Sequence, residues 1–374
     1  MPFSAFFVRR LLPGTLLALL LLEGCGRFAP HPPREYVWVW AKEAYLHDRV
    51  APVNNRVATV VNGERLQVVQ HGNRFLQVKT AQGKVGWIEE HGVIDQKIHD
   101  EFLDLQQEHA HDQPVTTAAL REDYWMRDAP GRESDRFYLV PENAHLQLLL
   151  RASVPRPLPP QALPLAVQQT GGAAKGAPAT PPAPPLEDYW LVLDSAGHVG
   201  WVRGRTLDMD VPDAIAGLSE TQKVIAAYVL RTVADPDAKV PGGQVPEYLT
   251  LLAPWQDGLP YDFNQLRVFT WNVRKHRYET AYRERDIEGF LPVTVSQQTF
   301  GKQQEPVFSF RVAASGGAPS IDPKTGLLNP GPTETETYHM EGVIVRRVGE
   351  PPPHPLAPAG ERRRGAKSSR RRHH

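Results

Sequence analysis

The pentapeptide that decides the fold occurs twice in this chain, as GKVGW at residues 83–87 and as GHVGW at residues 197–201. An apolar run precedes each copy, at residues 75–79 and 189–193. A strand, a turn that begins at glycine and a return strand that ends in tryptophan are typical of a β-hairpin. The second glycine is expected to let a neighbouring strand approach closely, and the tryptophan to cover a small core.

The repetition extends upstream of the hairpin. Residues 62–69, NGERLQVV, match residues 142–149, ENAHLQLL. These matched segments lie 80 residues apart, whereas the pentapeptides lie 114 residues apart, so the second copy contains an insertion of 34 residues. Residues 151–186 are rich in proline, alanine and glycine, a composition that cannot bury a core. The sequence therefore predicts one β module present twice, with a disordered insertion at residues 151–186 of the later copy.

These repeated segments resemble bacterial SH3-type domains, small envelope-associated barrels whose closing hairpin commonly carries a Gly-x-x-Gly-Trp phrase. The resemblance covers residues 36–95 and residues 120–210. It implies an all-β protein with tandem SH3-like small barrels, exposed outside the cytoplasm.

Four aromatic residues are candidates for a binding role in the two modules: Tyr45, Trp87, Trp125 and Trp201. Tyr45 and Trp125 are aligned between the copies, so we expect them to line a shared groove. Trp87 and Trp201 have a second interpretation, as core or half-core residues of their barrels. In the binding interpretation, exposed rings stack on sugar faces or grip a peptide.

The N-terminus has the organisation of a targeting segment. Arg9 and Arg10 precede an apolar stretch at residues 11–22, which is too short for a membrane span of roughly 20 residues. The sequence LEGC that ends at Cys25 resembles a bacterial lipobox, which implies that residues 1–25 are a lipoprotein signal peptide and that Cys25 is lipidated. Because Cys25 is the only cysteine, no intramolecular disulfide competes for it. An ordinary secretory signal is the alternative.

The remaining segments are predicted from composition and periodicity. Residues 26–35 form a tether, and apolar spacing within residues 96–119 predicts a linker helix. Residues 220–349 contain β-rich runs separated by turn residues, which predicts a C-terminal antiparallel β domain. Within it, residues 223–230 suit a strand or the start of a helix, and their continuation into β-branched residues favours a strand.

The C-terminal tail at residues 350–374 is predicted to be disordered. The whole chain is balanced, with 42 basic and 42 acidic residues, but residues 361–372 hold seven basic residues and one acid. The tail either adheres to an anionic surface or is simply solvated. Nucleic acid is not expected as a partner, because an exported protein seldom meets it.

The sequence contains no recognised catalytic motif. The only thiol is assigned to the anchor, and the motifs of serine hydrolases, zinc peptidases and phosphate-binding loops are absent. The histidines at residues 99, 109 and 111 lie in a polar connector without a recognised metal-ligand spacing, so neither a metal nor another cofactor is expected.

Three functional hypotheses follow. The first is a non-enzymatic, lipid-anchored protein of the cell envelope that binds peptidoglycan or an envelope protein through its SH3-like domains. The second is a scaffold or assembly subunit of an envelope protein complex. The third is a cell-wall hydrolase located in the C-terminal β domain.

Overall fold

The structure, a computed structural model, describes residues 34–157, 184–219, 221–300 and 303–349. The predicted signal peptide with Cys25, nearly all of the tether, residues 158–183 of the insertion and the C-terminal tail lie outside these residues. In the described part of the chain, no helix is long and apolar enough to cross a membrane. The chain divides into two compact units, Met1–His99 and Asp100–His374.

The first unit contains a seven-stranded antiparallel sheet. Its strands are β1 (Tyr36–Val39), β2 (Glu43–His47), β3 (Arg56–Val61), β4 (Arg65–His71), β5 (Phe75–Lys79), β6 (Val85–Glu89) and β7 (Val93–Ile94). They follow the order β3-β2-β6-β5-β4-β1-β7 across the sheet. Alternating apolar side chains of these strands meet in one core, which includes Val39, Leu46, Val60, Leu66 and Val78.

The second unit begins with a sheet of the same design. Its strands are β8 (Thr116–Leu120), β9 (Tyr124–Arg127), β10 (Arg136–Val140), β11 (His145–Pro155), β12 (Leu186–Leu193), β13 (Val199–Arg203) and β14 (Leu207–Met209). Their order, β10-β9-β13-β12-β11-β8-β14, is that of the first sheet strand for strand. The two tryptophan hairpins, β5-β6 and β12-β13, therefore occupy the same place in like sheets.

The glycines of the pentapeptide have the roles that the sequence predicts. Gly83 and Gly197 adopt φ of 84° and 89°, which a side chain disfavours, and they make the hairpin turns. A Cβ added at Gly86 would lie 2.8 Å from the Cβ of Leu46, and one added at Gly200 would lie 2.6 Å from the Cβ of Met126. In each module the absence of a side chain lets the neighbouring strand pack against the hairpin.

The all-β class is confirmed, whereas a closed barrel is not found among the described residues. The pairing of β6 with β2 consists of one register pair, His47 with Trp87. The pairing of β13 with β9 likewise consists of one, Arg127 with Trp201. The outermost strands, β3 and β7 or β10 and β14, are not hydrogen-bonded to each other in these sheets. Each module is thus an open seven-stranded antiparallel sheet.

The predicted linker helix forms as α1 (Gln96–Glu108). Its first turn is capped by Asp95, whose Oδ1 accepts a hydrogen bond of 2.9 Å from the amide of Ile98. In the second unit the fully buried Phe102 packs its ring edge-on against Phe137 and Tyr138, at centroid distances of 5.7 and 5.5 Å. The helix ends before residue 119, and the second module begins earlier than predicted, at Thr116.

A third antiparallel sheet follows the second module in the same unit. After the short helix α2 (Asp213–Ala216) come β15 (Lys223–Ala234), β16 (Gln244–Ala253), β17 (Phe263–Asn272), β18 (Arg277–Phe300), β19 (Gln303–Ala313), β20 (Ser320–Ile321), β21 (Leu328–Asn329), β22 (Thr333–Glu341) and β23 (Ile344–Arg347). The sheet order is β15-β16-β17-β18-β19-β22-β23, and β20 pairs with β21 separately. The strand interpretation of residues 223–230 is confirmed by β15.

The predicted start of the insertion, residue 151, is wrong. Arg151–Pro155 continue strand β11, and they pair in register with residues 186–190 of β12. Arg151, Ala152 and Ser153 are buried. The loop between β16 and β17 and the segment between β20 and β21 contact this end of the ribbon. Composition alone assigned residues 151–155 to the insertion, because they adjoin the proline-rich stretch, and so it missed the buried Arg151 and Ser153.

Candidate functional site

A cleft of about 780 Å³ lies between the second module and the third sheet. One wall comes from the second module and includes Arg121, which follows β8, and Arg205 and Asp208, which lie near β14. The opposite wall comes from the start of β15 and from the loop between β16 and β17. Clefts of this size at the junction of two folded elements are typical ligand-binding sites.

Trp255 presents an indole ring at this cleft. It lies in the loop between β16 and β17, and it is 70% exposed, which is unusual for the largest apolar side chain. The tryptophans of both modules are more covered, with Trp201 only 5% exposed. Trp255 is therefore the ring in the cleft that a ligand can stack on.

A buried arginine of the second module holds the loop that carries Trp255. Arg151, 8% exposed, donates through Nη2 to the carbonyl oxygens of Leu259 and Tyr261, each at 2.7 Å. On the same side, Oδ1 of Asp188 accepts a hydrogen bond of 2.9 Å from the amide of Gly258. Because these partners are backbone groups, they fix the path of the loop as well as its position.

Arg151 is shared between two buried carboxylates. Its Nη1 lies 3.4 Å from Oδ2 of Asp188, and its Nε lies 3.1 Å from Oδ1 of Asp262. The contact of Nε with Asp262 is an ion pair whose geometry does not make a hydrogen bond. Burial raises the pKa of Asp262 above its usual range, while Arg151 and the amide of Leu291 oppose that shift. This cluster joins the second module to the third sheet and to the loop that carries Trp255.

The cleft also carries cations without a fixed partner. Lys223 is half-buried, and burial lowers its pKa, an effect that the carboxylates of Asp188 and Asp257 oppose. Neither Lys223 nor Arg205 makes a hydrogen bond or ion pair through its side chain within the described part of the chain. By contrast, Arg121 is engaged in an ion pair with Asp208 at the rim. The unpaired charges of Lys223 and Arg205 can attract an anionic group of a ligand.

Tyr45 and Trp125 occupy equivalent positions in the two modules. Arg56 places its guanidinium carbon 3.3 Å from the centroid of the Tyr45 ring, and Arg136 lies 5.9 Å from that of Trp125. Both rings are half-buried. The alignment is therefore reproduced in space, with an arginine of the next strand over each ring. Whether these rings line a groove for a ligand stays a prediction.

Trp87 and Trp201 differ in exposure. Trp87 is half-buried, and its ring packs over Gly72, where an added Cβ would lie 2.9 Å from Cζ3. Trp201 belongs to a core cluster with Tyr189 and Leu191. Its burial favours the core interpretation of Trp201, and the binding role predicted for it stays a prediction. Within the second unit, neither Trp125 nor Trp201 lines the cleft that holds Trp255.

Two groups of described residues bring three metal-ligand atoms within 4.8 Å of one another. In one, the buried Asp235 accepts hydrogen bonds from Nε1 of Trp271 at 2.7 Å and from Nδ1 of His276 at 2.8 Å. Asp237 completes that group. These hydrogen bonds lower the pKa of Asp235, the bond from Trp271 most strongly, and they give its carboxylate a structural role at the end of β15.

The second group consists of Glu101, Asp128 and Asp135. Two of its carboxylates can be compared with the matching residues of the first module, Asp48 and Asn55. In the first module Asp48 accepts hydrogen bonds from the backbone amide and side-chain amide of Asn55, which lower its pKa to about 2. Asp128 and Asp135 occupy the matching positions, but Asp135 has no side-chain donor. Burial, and then repulsion from Asp135, raise the pKa of Asp128 to about 6.

Asp135→Asn is expected to stabilise the protein at neutral pH. The folded state binds the Asp128 proton more tightly than the unfolded chain does, so this carboxyl contributes stability at low pH and loses it as pH rises through about 6. Restoring the amide found in the first module should raise the free energy of unfolding by about 1–2 kcal/mol at pH 7.5. Denaturant unfolding at pH 7.5 and pH 4 checks this. A gain of equal size at both pH values would contradict it.

Comparison with known proteins returned no protein-family model that matches the chain and no curated protein that matches it. The solved structures similar to this chain include two that are matched over nearly their whole length. One is an NlpC/P60 family protein from Bacillus cereus, with 10% identity, a TM-score of 0.22, and coverage of 67% of this chain and 99% of that chain. The other is NlpC2 from Trichomonas vaginalis, with 9% identity, a TM-score of 0.16, and coverage of 82% and 97%. TM-scores this low carry no argument about fold or activity.

Sequence reasoning missed the residues of the cleft. Trp255 and Lys223 line it from a loop and from the start of β15, and Arg151, which holds that loop, lies within β11, far earlier in the sequence. One signal was available, since Trp255 stands between Pro254 and the turn residues Asp257 and Gly258. A tryptophan in such a turn has no strand neighbours to cover it.

Proposed function

We propose that this protein is a non-enzymatic, lipid-anchored component of the cell envelope that binds peptidoglycan in the cleft beside Trp255. The observation that carries the proposal is the exposed indole ring of Trp255 next to the unpartnered cations of Lys223 and Arg205. Peptidoglycan combines sugar rings, whose apolar faces stack on indole, with peptides that bear carboxylates. The cleft offers a complement to both features on one surface.

Preorganisation supports this site over the rings of the two modules. The loop that carries Trp255 is fixed through backbone carbonyls by the buried Arg151, so little ordering entropy is lost when a ligand binds. Tyr45, in contrast, already has one face of its ring covered by Arg56. We therefore place the principal contact with the wall in the cleft, with Tyr45 and Trp125 as candidates for secondary contacts that add avidity.

Trp255→Ala should weaken binding to the wall by about tenfold or more, because truncating a central tryptophan removes most of the energy of a small binding surface. The measurement is cosedimentation of the full chain with purified sacculi over a range of protein concentrations. Val53→Ala serves as the control, since Val53 is an 83% exposed side chain of the first unit. The double variant of Tyr45→Ala and Trp125→Ala tests the alternative groove.

Each outcome of this experiment has a meaning. Wild-type protein that stays in the supernatant would reject wall binding. Loss of binding in the double variant, with Trp255→Ala unchanged, would move the site to the two modules. Release of soluble muropeptides during the incubation would replace the binding function with the hydrolase hypothesis.

A scaffold role is the second candidate, and exposed apolar side chains in the first unit favour it. Val50 and Val53, at the loop between β2 and β3, are 50% and 83% exposed. Two neighbouring apolar side chains at one loop tip give a small apolar surface that a protein partner can cover. A photoreactive amino acid at position 53 should cross-link a single protein in cells if the scaffold hypothesis holds, whereas one at position 255 should capture glycan if the wall hypothesis holds.

A further inference from the structure

A second, smaller pocket lies on the third sheet at the ribbon formed by β17 and β18. Its volume is about 240 Å³, and its lining is polar or charged throughout: Thr221, Gln222, Asn264, Gln265, Arg267, Arg285 and Asp286. A water molecule occupies about 30 Å³ in the liquid, so the pocket holds the volume of roughly eight waters. That volume suits a single small molecule rather than a polymer.

Buried polar groups of this pocket lack protein partners. Gln265 is 4% exposed, and its Nε2 atom has no hydrogen-bond acceptor among the described residues. Gln222 donates through Nε2 to Oδ1 of Asn264 at 3.3 Å, which orients its amide and leaves Oε1, also buried, without a donor. A buried polar group without a partner is costly, so a fold that keeps two in one pocket needs a reason.

The pairing of β17 and β18 places two charged residues, Arg285 and Asp286, beside these amides. Gln265 lies directly across from Arg285 in the register of β17 and β18, which places the two side chains on one face. A β-bulge follows on β18, because the register shifts between the pairs Gln265–Arg285 and Phe263–Gly289, and Asp286 adopts a φ of 59° within it. Bulges redirect side chains beside binding sites. Arg285 is exposed and makes no side-chain ion pair with a described carboxylate.

The chemistry of the pocket has two halves. Gln265 Nε2 and the Arg285 guanidinium are donors, and together they suit a carboxylate. Gln222 Oε1 and the Asp286 carboxylate are acceptors, and they suit an ammonium group or a hydroxyl. Arg267, 2% exposed, is held by donation from Nη1 to the carbonyl of Leu218 at 2.8 Å and adds positive charge to the carboxylate side.

We propose that this pocket binds a small free amino acid, with its carboxylate at Gln265 and Arg285 and its ammonium at Gln222 and Asp286. The described residues that line the pocket are all polar or charged, which favours a small or polar side chain on the ligand. The site is separate from the wall contact at Trp255, although Gln222 lines both cavities. Either proposal can fail without the other.

The test follows the side-chain amide resonances of Gln265 by NMR in the full chain, assigned by their loss in Gln265→Leu. Serine should shift them saturably, whereas acetate and methylamine, each carrying half of the ligand, should bind at least about tenfold more weakly. Arg285→Ala should weaken serine binding by at least about tenfold. Arg274→Ala, an exposed arginine in the turn after β17, should leave it unchanged.

Several results would overturn the proposal. No saturable shift with serine up to about 50 mM, a concentration far above a weak specific affinity, would reject the site. Acetate that binds as tightly as serine would reduce the pocket to a simple anion site. Equal binding by Arg285→Ala, which changes an exposed side chain and should fold normally, would reject the assigned orientation.

Discussion

Arg151→Ala is expected to lower the free energy of unfolding of the second unit by about 3–5 kcal/mol, the range measured when one member of a buried ion pair is removed. The change leaves the carboxylates of Asp188 and Asp262 buried without their shared cation. It also leaves the carbonyl oxygens of Leu259 and Tyr261 without their donor. The two carboxylates keep the hydrogen bonds from the amides of Gly258 and Leu291 but lose the opposite charge that offsets their burial.

The destabilisation should depend on pH. Burial already raises the pKa of Asp262, and removal of Arg151 raises it further, because Arg151 is the largest influence that lowers it. Protonation then neutralises the carboxyl without cost to packing. The difference in stability between wild type and variant should therefore be larger at pH 7.5 than at pH 4.5.

Denaturant unfolding at the two pH values measures this prediction. Arg121→Ala is the matched control, since Arg121 pairs with Asp208 at the surface and its loss should cost at most about 1 kcal/mol. Arg151→Ala should also weaken wall binding, because the loop that carries Trp255 is released. A variant as stable as Arg121→Ala would show that Arg151 does not join the second module to the third sheet.

Gly200→Ala is expected to cost about 3 kcal/mol, at the upper end of the range for overpacking a core. The added Cβ would lie 2.6 Å from the Cβ of Met126 and 3.2 Å from the carbonyl oxygen of Arg127. Met126 is fully buried, and a Cβ cannot move without its backbone. The strand β9 would have to shift away from β13.

The equivalent change in the first unit provides an internal repeat of the experiment. Gly86→Ala places its Cβ 2.8 Å from that of Leu46, which is also fully buried, and should destabilise that unit similarly. Gly217→Ala is the control, because nothing lies within 4 Å of the added atom and its φ is −70°. Its effect should stay within about 0.5 kcal/mol. Gly86→Ala and Gly200→Ala variants as stable as Gly217→Ala would contradict the close approach of the strands.

The sequence predicts the modules well because their signals are local and repeated. Glycines with a turn or close-approach role recur in both copies. The matched segments at residues 62–69 and 142–149 each form a turn and then enter β4 or β11, in sheets of the same order. The position of Tyr45 relative to Arg56 recurs as that of Trp125 relative to Arg136. The turns, the strands and the aligned rings of the modules can all be predicted from local sequence pattern and from the repeat.

The sites are not predictable in the same way, because distant segments build them. The cleft joins the end of the second module to a loop about 50 residues later in the chain, and the small pocket depends on a bulge that shifts the register of β17 and β18. Arg151 was predicted to lie in the disordered insertion because of the composition around it, and no local pattern indicates that it is buried. Periodicity reports which face of a strand is covered, but not what covers it.

Binding of wall material at Trp255 can be measured in a single titration. All eight tryptophans of the chain can be labelled with a fluorinated analogue, and the ¹⁹F resonance of Trp255 is assigned by its loss in Trp255→Phe. On addition of soluble peptidoglycan fragments, this resonance should shift saturably, while that of the buried Trp201 stays fixed. A Trp255 resonance that does not move, with or without a shift at Trp125, would contradict the account.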